Sequence, residues 1–280
     1  MSGRRAGLLL LAPTLLVLTV LFVVPQLFVL EASLARRDAY GGIVHEWGLH
    51  NYGRALQPLY LGILLRSFGL AFVTTAGCLL LGYPVAYWLA RVCAARWRNA
   101  LLVLVILPFW TSFLVRMYAW VFLLRSEGTL NLLLGHLGLG PVELLYRDAA
   151  VLLGQVYGEL PFMILPLYAA LERLDGSLLE AAADLGARPP SALWRITVPL
   201  SRAGIVAGCV LVFIPSLGAF LAPDVLGGAR TVYVGTLIQS QFAVARDMPF
   251  GSALAMVLTV AVLALLWLFR RPLAESQPGH

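Results

Sequence analysis

Between Arg5 and Glu31 the chain carries no ionisable residue. An apolar run of that length exceeds the ~20 residues a helix needs to cross a bilayer core. Five more segments are apolar over about that length, which gives candidate spans at about 7–30, 61–90, 99–124, 149–171, 203–223 and 251–269. Hydrocarbon offers backbone groups no water, so a segment that enters it must satisfy its own hydrogen bonds, as a helix does. The expected fold is an all-α integral membrane bundle of six transmembrane helices, one domain over residues 1–280. With 60% hydrophobic and only 12% charged residues, an ordinary soluble domain is excluded.

Charge is distributed unevenly among the loops. Arg4 and Arg5 precede the first span. Arg91, Arg96 and Arg98 occupy the short second loop, Arg173, Arg188, Arg195 and Arg202 the fourth, and Arg270 and Arg271 follow the last span. With six spans, these eleven arginines share one side; the other has seven, in longer loops, with eight of the fourteen acids. Basic loops remain cytoplasmic, so both termini and the loop at 172–202 are expected in the cytoplasm. The first span follows arginines, as a signal peptide would. Its apolar run far exceeds the ~7–15 residues of a signal core, and it reads as a retained anchor.

All 20 basic residues are arginine. Without lysine the chain has no Walker A lysine and no Schiff-base lysine. The net charge of +6 sits at span ends, which fits membrane orientation better than nucleic-acid binding. Cys78, Cys93 and Cys209 lack CxxC spacing and read as small hydrophobes. His45, His50, His136 and His280 show no metal-ligand pairing, so neither a metal site nor an enzyme is expected. Among the external loops, 31–60 carries Trp47, Tyr52 and Leu56, with a helix start expected at Asn51. Residues 128–147 are rich in glycine and leucine, with Pro141, and suit a re-entrant or interfacial turn.

The fourth loop contains the longest polar, helix-signalled segment, from Glu180 to Pro199. Ser177-Leu-Leu-Glu180 has capping-box spacing, Ala181, Ala182 and Ala183 are strong helix formers, and Gly186 is placed to end the helix. Pro189 and Pro190 suit the start of a second short helix, with Leu193, Trp194 and Ile196 on an apolar side and Pro199 at its end. Two readings stand at this point: a capped connector lying against the membrane, or a docking surface with Glu180, Asp184 and Arg188 around a smooth alanine face.

The same residues resemble the EAA motif of binding-protein-dependent ABC importer permeases. Glu180-Ala181-Ala182, three residues, Gly186, nine residues and Ile196-Thr197-Val198-Pro199 follow its spacing, with Val198 where the motif has leucine. Leu107–Phe113, Leu160–Pro166 and Pro215–Phe220 are similar to the spermidine/putrescine branch, and the likeness covers most of 60–265. The resemblance implies a type I importer permease in the bacterial inner membrane, whose loop helix couples to a separate ATPase through Glu180, Ala181, Ala182, Asp184, Gly186, Arg188, Ile196 and Pro199. It implies as partners a homologous permease in a heterodimer, two ATPase subunits and a periplasmic solute-binding protein. This chain would bind no cofactor; ATP and Mg belong to the ATPase. The implied solute is a polyamine such as spermidine or putrescine, with another cationic or zwitterionic metabolite as the alternative. A stand-alone secondary transporter would need inverted repeats or paired broken helices, and none is detected.

Three ionisable residues fall inside spans. Such charges are costly in lipid and turn towards protein or water. Arg66, near the outer end of its span, is expected to snorkel. Arg116 shares a helical stripe with Phe109, Phe113 and Trp120, which suits cation–π packing, in either a structural or a pathway role. Glu159 lies at mid-span with Gln155 one turn earlier and Pro161 and Pro166 following. It could attract an organic cation, or pair with Arg116 or with an arginine of the partner permease. Irregular backbone is tolerated at membrane depth only beside protein or a water-filled cavity. That directs Ser216, beside Pro215 and Gly218, and Asp224, after Pro223, towards the solute pathway, with Trp110 and Tyr118 as further candidates.

Overall fold

The computed structural model describes residues 3–38, 42–228 and 231–275, with side chains between 11 and 267. The side chains of Arg4, Arg5, Arg270 and Arg271 lie outside the described residues, as do Arg230 and His280. The structure divides into two compact units, one drawn from residues 1–62 and 237–263, the other from 63–236 and 264–280.

The first unit opens on α1 (Gly3–Leu18) and α2 (Val24–Leu34), continuous through a π-helical turn at Thr19–Val23. Pro25 explains the widened turn: it has no N–H to bond the carbonyl four residues earlier. A short β-ribbon pairs β1 (Arg36–Arg37) with β2 (Ile43–Val44), Arg36 opposite Val44. Helix α3 (His50–Ala55) follows. It begins at His50, one residue before the start expected at Asn51. Asn51 lies within α3, buried, and donates to the carbonyls of Ser33 (3.0 Å) and Ala35 (2.9 Å), sealing the end of α2. Asp247 accepts from the Phe250 N–H at 3.2 Å and so caps α14 (Met248–Glu275), while its other oxygen holds Arg54 at 3.0 Å. Phe250 lies between the Arg54 guanidinium, 4.0 Å away, and Tyr60, at the core of this unit.

The second unit is organised on α8 (Asp148–Glu172), the most enclosed of the spans. It packs against α12 (Arg202–Gly218) through small residues. A Cβ on Gly204 would come within 2.5 Å of the Ala170 Cβ and 2.7 Å of the Pro166 carbonyl, and one on Gly208 within 2.7 Å of the Met163 sulfur. Close backbone approach of this kind drives helix association in membranes, where apolar burial cannot. On α6 (Phe113–Leu124), Phe113 and Met117 pack in the same way over Gly158 and Gly154 of α8. Helix α4 (Pro58–Tyr87) continues as a π-turn at Trp88–Val92 before an elbow into α5 (Ala95–Ile106); the short helices α7 (Thr129–His136) and α13 (Val234–Ala243) complete the series among the described residues.

Among the described residues, four helices are long and apolar enough to cross a membrane, and up to six segments qualify if each of two bent pairs counts as one span. The 91° bend departs from the continuous span expected, whereas the 68° bend lies at Ser201, before the span expected at 203–223. Residues 99–124 are not one helix: a 3-10 turn at Leu107–Trp110, with Pro108 in it, gives way to extended backbone at Thr111 and Ser112, and α6 leaves at 91°. Thr111 Oγ1 donates to the Pro108 carbonyl at 2.7 Å and fixes the break. Within 203–223 the helix stops short of the expected end: α12 finishes at Gly218 and a π-helical turn occupies Pro223–Gly227.

Candidate functional site

The loop at 172–202 folds into two short helices at a tight corner. Helix α9 (Ser177–Asp184) begins one residue earlier than a capping box allows. Ser177 is the first helical residue rather than the cap, and its N–H donates to Asp175 Oδ1 at 3.0 Å. That bond, from the backbone N–H first of all, holds the Asp175 carboxyl below the usual carboxylate range. Glu180 is therefore not a capping residue: it stands exposed, and its carboxylate has no hydrogen-bond partner among the described residues.

The far end of α9 follows the sequence closely. Gly186 has φ +78°, its N–H bonds the Ala183 carbonyl (2.9 Å) and the Ala187 N–H bonds the Ala182 carbonyl (2.9 Å). This is a Schellman cap, and the left-handed residue in it favours glycine. Arg188 then caps α10 (Pro189–Ala192), a π-turn covers Leu193–Thr197, and α11 (Val198–Leu200) ends before a 68° bend into α12. Pro199 lacks the donor for the carbonyl of Arg195, which accounts for the π-turn. Ala182 is buried, Ile196 half-buried, and Ala181, Asp184, Arg188 and Pro199 are exposed. Leu185 is 88% exposed and Trp194 69%, so the corner presents large apolar side chains beside Glu180.

Within the second unit, α6 and α8 gather aromatic rings around one guanidinium. The Arg116 Cζ lies 5.3 Å from the ring centres of Phe109 and Phe113 and 5.9 Å from that of Tyr157. Trp120, expected to stack on Arg116, instead meets Tyr157 edge-on at 5.7 Å. Phe109 belongs to the turn before the 91° break and not to the stripe of α6, yet the break folds its ring onto the guanidinium, and Phe162 backs it at 4.9 Å. Glu159 is half-buried on α8, and among the described residues its Oε2 has no hydrogen-bond partner and no Arg116–Glu159 ion pair forms. Gln155 accepts from Thr74 Oγ1 at 3.0 Å and leaves its Nε2 unpaired. Pro161 and Pro166 remove the backbone donors for the carbonyls of Tyr157 and Phe162.

The remaining candidates are dispersed. Ser216 is buried with an unpaired hydroxyl; Trp110 is 81% exposed and Asp224 exposed. Tyr118 is two residues from Arg116 and so projects from the opposite side of α6.

Arg66 does not snorkel alone. Its Nη2 meets both oxygens of Asp148 at 2.7 Å, and the Tyr233 hydroxyl donates to the same carboxylate at 2.7 Å. Burial, and then the Asp148 carboxylate, push the Tyr233 phenol up. Sequence reasoning missed this trio, because its members are far apart in the chain and no spacing joins them. It also missed Gly154-xxx-Gly158 and Gly204-xxx-Gly208, whose small-xxx-small spacing is visible in the sequence. Beyond α6, Arg125, Glu127, Glu143, Tyr146 and Arg147 line a polar cavity of about 970 Å³.

A multi-pass helical chain with a polar two-helix loop, charge and aromatics at membrane depth and paired short helices between its spans is built as the membrane component of a transporter. The chain belongs to the family of binding-protein-dependent transport system inner membrane components, whose model matches residues 82–270. It is thus an inner-membrane permease subunit of an ABC importer, and not itself a catalyst. It is 42% identical over 255 residues to the spermidine/putrescine transport system permease protein PotB of Salmonella typhimurium (strain SL1344), covering 90% of this chain and 88% of that protein. The Escherichia coli (strain K12) protein of the same name is also 42% identical over 255 residues, covering 90% and 92%. A crystal structure of a bacterial ABC transporter involved in the import of the acidic polysaccharide alginate contains a chain of the same fold, with a TM-score of 0.77, 19% identity and 96% of each chain covered.

Proposed function

We propose that this permease carries a polyamine inward and takes its driving force through α9, which docks into a cleft of a separate ATPase subunit. The observation that carries the reading is the corner at Gly186: a capped helix with exposed Glu180 and Leu185, at the EAA spacing. Glu180, Ala181, Ala182, Asp184 and Arg188 would form the docking face, with Ile196 and Pro199 fixing the returning limb. Two ATPase subunits would use ATP and Mg, this chain binding no cofactor. A homologous permease would complete a heterodimer, and a periplasmic solute-binding protein would deliver the solute. Both termini and the loop at 172–202 would lie in the cytoplasm, as the arginine asymmetry requires.

For the solute, two observations agree: the identity to permeases named for spermidine and putrescine, and a half-buried carboxylate on a helix whose neighbouring rings already hold a guanidinium. Aromatic faces attract ammonium groups, and a carboxylate at that depth needs a cationic neighbour. Glu159 with Arg116 and its rings would form the contact region, and Trp110, Tyr118, Ser216 and Asp224 the remaining pathway.

Co-expression with the cognate subunits tests the assignment. The ATPase should co-purify, its hydrolysis should rise with loaded binding protein, and radiolabelled spermidine should enter proteoliposomes. Glu180→Arg or Gly186→Pro should abolish uptake while leaving the permease inserted. Wild-type uptake in both variants would sink the coupling role of α9.

A further inference from the structure

The cytoplasmic loop is held at both ends by α4, the π-turn that follows it and the start of α5. On the incoming limb, Arg91 in the π-turn after α4 donates from Nη2 to the Leu174 carbonyl at 2.6 Å. Arg98, at the start of α5, reaches Glu172 Oε1 at 3.5 Å and the Ala90 carbonyl at 3.3 Å, so it spans the elbow as well as the loop. Tyr168 donates to the same Glu172 oxygen at 2.6 Å and sets its position. On the outgoing limb, Ser201 is fully buried at the 68° bend. Its hydroxyl donates to the Val198 carbonyl at 3.2 Å, which leaves Tyr83 of α4 as the donor in the 3.1 Å contact between Tyr83 OH and Ser201 Oγ. Among the described residues, no hydrogen bond joins residues 175–197, between these points, to a span outside the loop. The loop is free to be pushed in its middle and gripped at its ends.

We propose that Tyr83, Arg91 and Arg98 are positioning residues that pass displacement of α9 to α4. Helix α4 in turn bonds α8 through Thr74 and Gln155, one turn from Glu159. A push on the loop therefore reaches mid-membrane along the stretch of α4 from Tyr83 to Thr74, which has a hydrogen bond at each end, and needs no movement of α9 into the bilayer. Three separated bonds also resist rotation, which a single hinge would permit. The inference rests on the reading of α9 as the coupling helix.

The test uses the complete transporter with Cys78, Cys93 and Cys209 replaced by serine and Ser216→Cys added as a reporter on α12. Bound ATPase, vanadate-trapped nucleotide and maleimide labelling at residue 216 are measured with and without ATP and vanadate. In Tyr83→Phe/Arg98→Ala and in Arg91→Met, bound ATPase and trapped nucleotide should stay at the parent level. The nucleotide-dependent change in labelling rate should shrink about fivefold or more. The exchange Arg98→Glu/Glu172→Arg should recover more of it than either single change. An unaltered labelling response overturns the proposal; so does equal loss of bound ATPase and response, which would make these residues merely structural. Glu180→Arg separates the two readings. If it leaves bound ATPase unchanged, the coupling assignment of α9 fails; if it sheds ATPase while the other variants respond as the parent does, the brace alone fails.

Discussion

Among the described residues Arg116 is held by aromatic rings and forms no ion pair with Glu159, two residues along α8 from the Tyr157 ring, and that separation is the informative property at the scale of single residues. A carboxylate already bonded to its own arginine would have its acceptor oxygens occupied; one without such a bond leaves them open to a cationic visitor, whose charge would favour the ionised form. Glu159→Gln should raise the half-saturating spermidine concentration by roughly tenfold to a hundredfold, the equivalent of a lost charge-assisted bond of about 1.5–3 kcal/mol. Uptake kinetics in vesicles check this, and an unchanged value would remove Glu159 from the pathway. Tyr233 allows a prediction in pH. Its phenol is raised, so the neutral donor is the form favoured by folding, and its contribution is complete below the ordinary tyrosine range and lost only as pH rises through the raised value. Tyr233→Phe should lower stability in detergent by about 1 kcal/mol and flatten that alkaline dependence, as measured by thermal unfolding across pH.

Among the elements, local chemistry was legible and interruptions within apolar runs were not. The corner after α9 could be read because Gly186, Pro189 and Pro190 act on their immediate neighbours, and the structure supplies the φ of +78° that the glycine implied. The capping box failed by one residue, since Asp175 offered the Ser177 N–H a nearer acceptor. The break at Thr111–Ser112 and the end of α12 at Gly218 lie in continuous apolar sequence, where hydropathy carries no mark of direction. The residues that gather around Arg116 were legible as types, but only the 91° turn shows that Phe109 and Phe113 meet it from two elements. Replacing Gly186 by alanine should cost about 1–2 kcal/mol and weaken ATPase co-purification. Gly204→Ala forces a Cβ against the Pro166 carbonyl, which cannot swing aside, and should cost about 1–3 kcal/mol, read as a lower unfolding temperature in detergent.

For the whole molecule, the arginine asymmetry makes a sidedness claim that needs no knowledge of the solute. Green fluorescent protein fused after residue 280 should fluoresce, since it matures in the cytoplasm. Glu127→Cys in a cysteine-free chain should react with an impermeant maleimide from outside intact spheroplasts. Dark fusions with labelled cytoplasmic positions would invert the arrangement and place α9 beyond reach of any ATPase. The Schellman corner has a further consequence for heredity. Every missense change at Gly186 introduces a Cβ into a backbone that L-residues enter only under strain, whatever codon replaces it. Most first steps of drift at this position therefore carry a conformational cost of about 1–2 kcal/mol, asparagine the least. Tyr146 and Arg246 bear a similar cost elsewhere in the chain, so chirality biases this letter of the loop towards glycine before any contact with another chain is required.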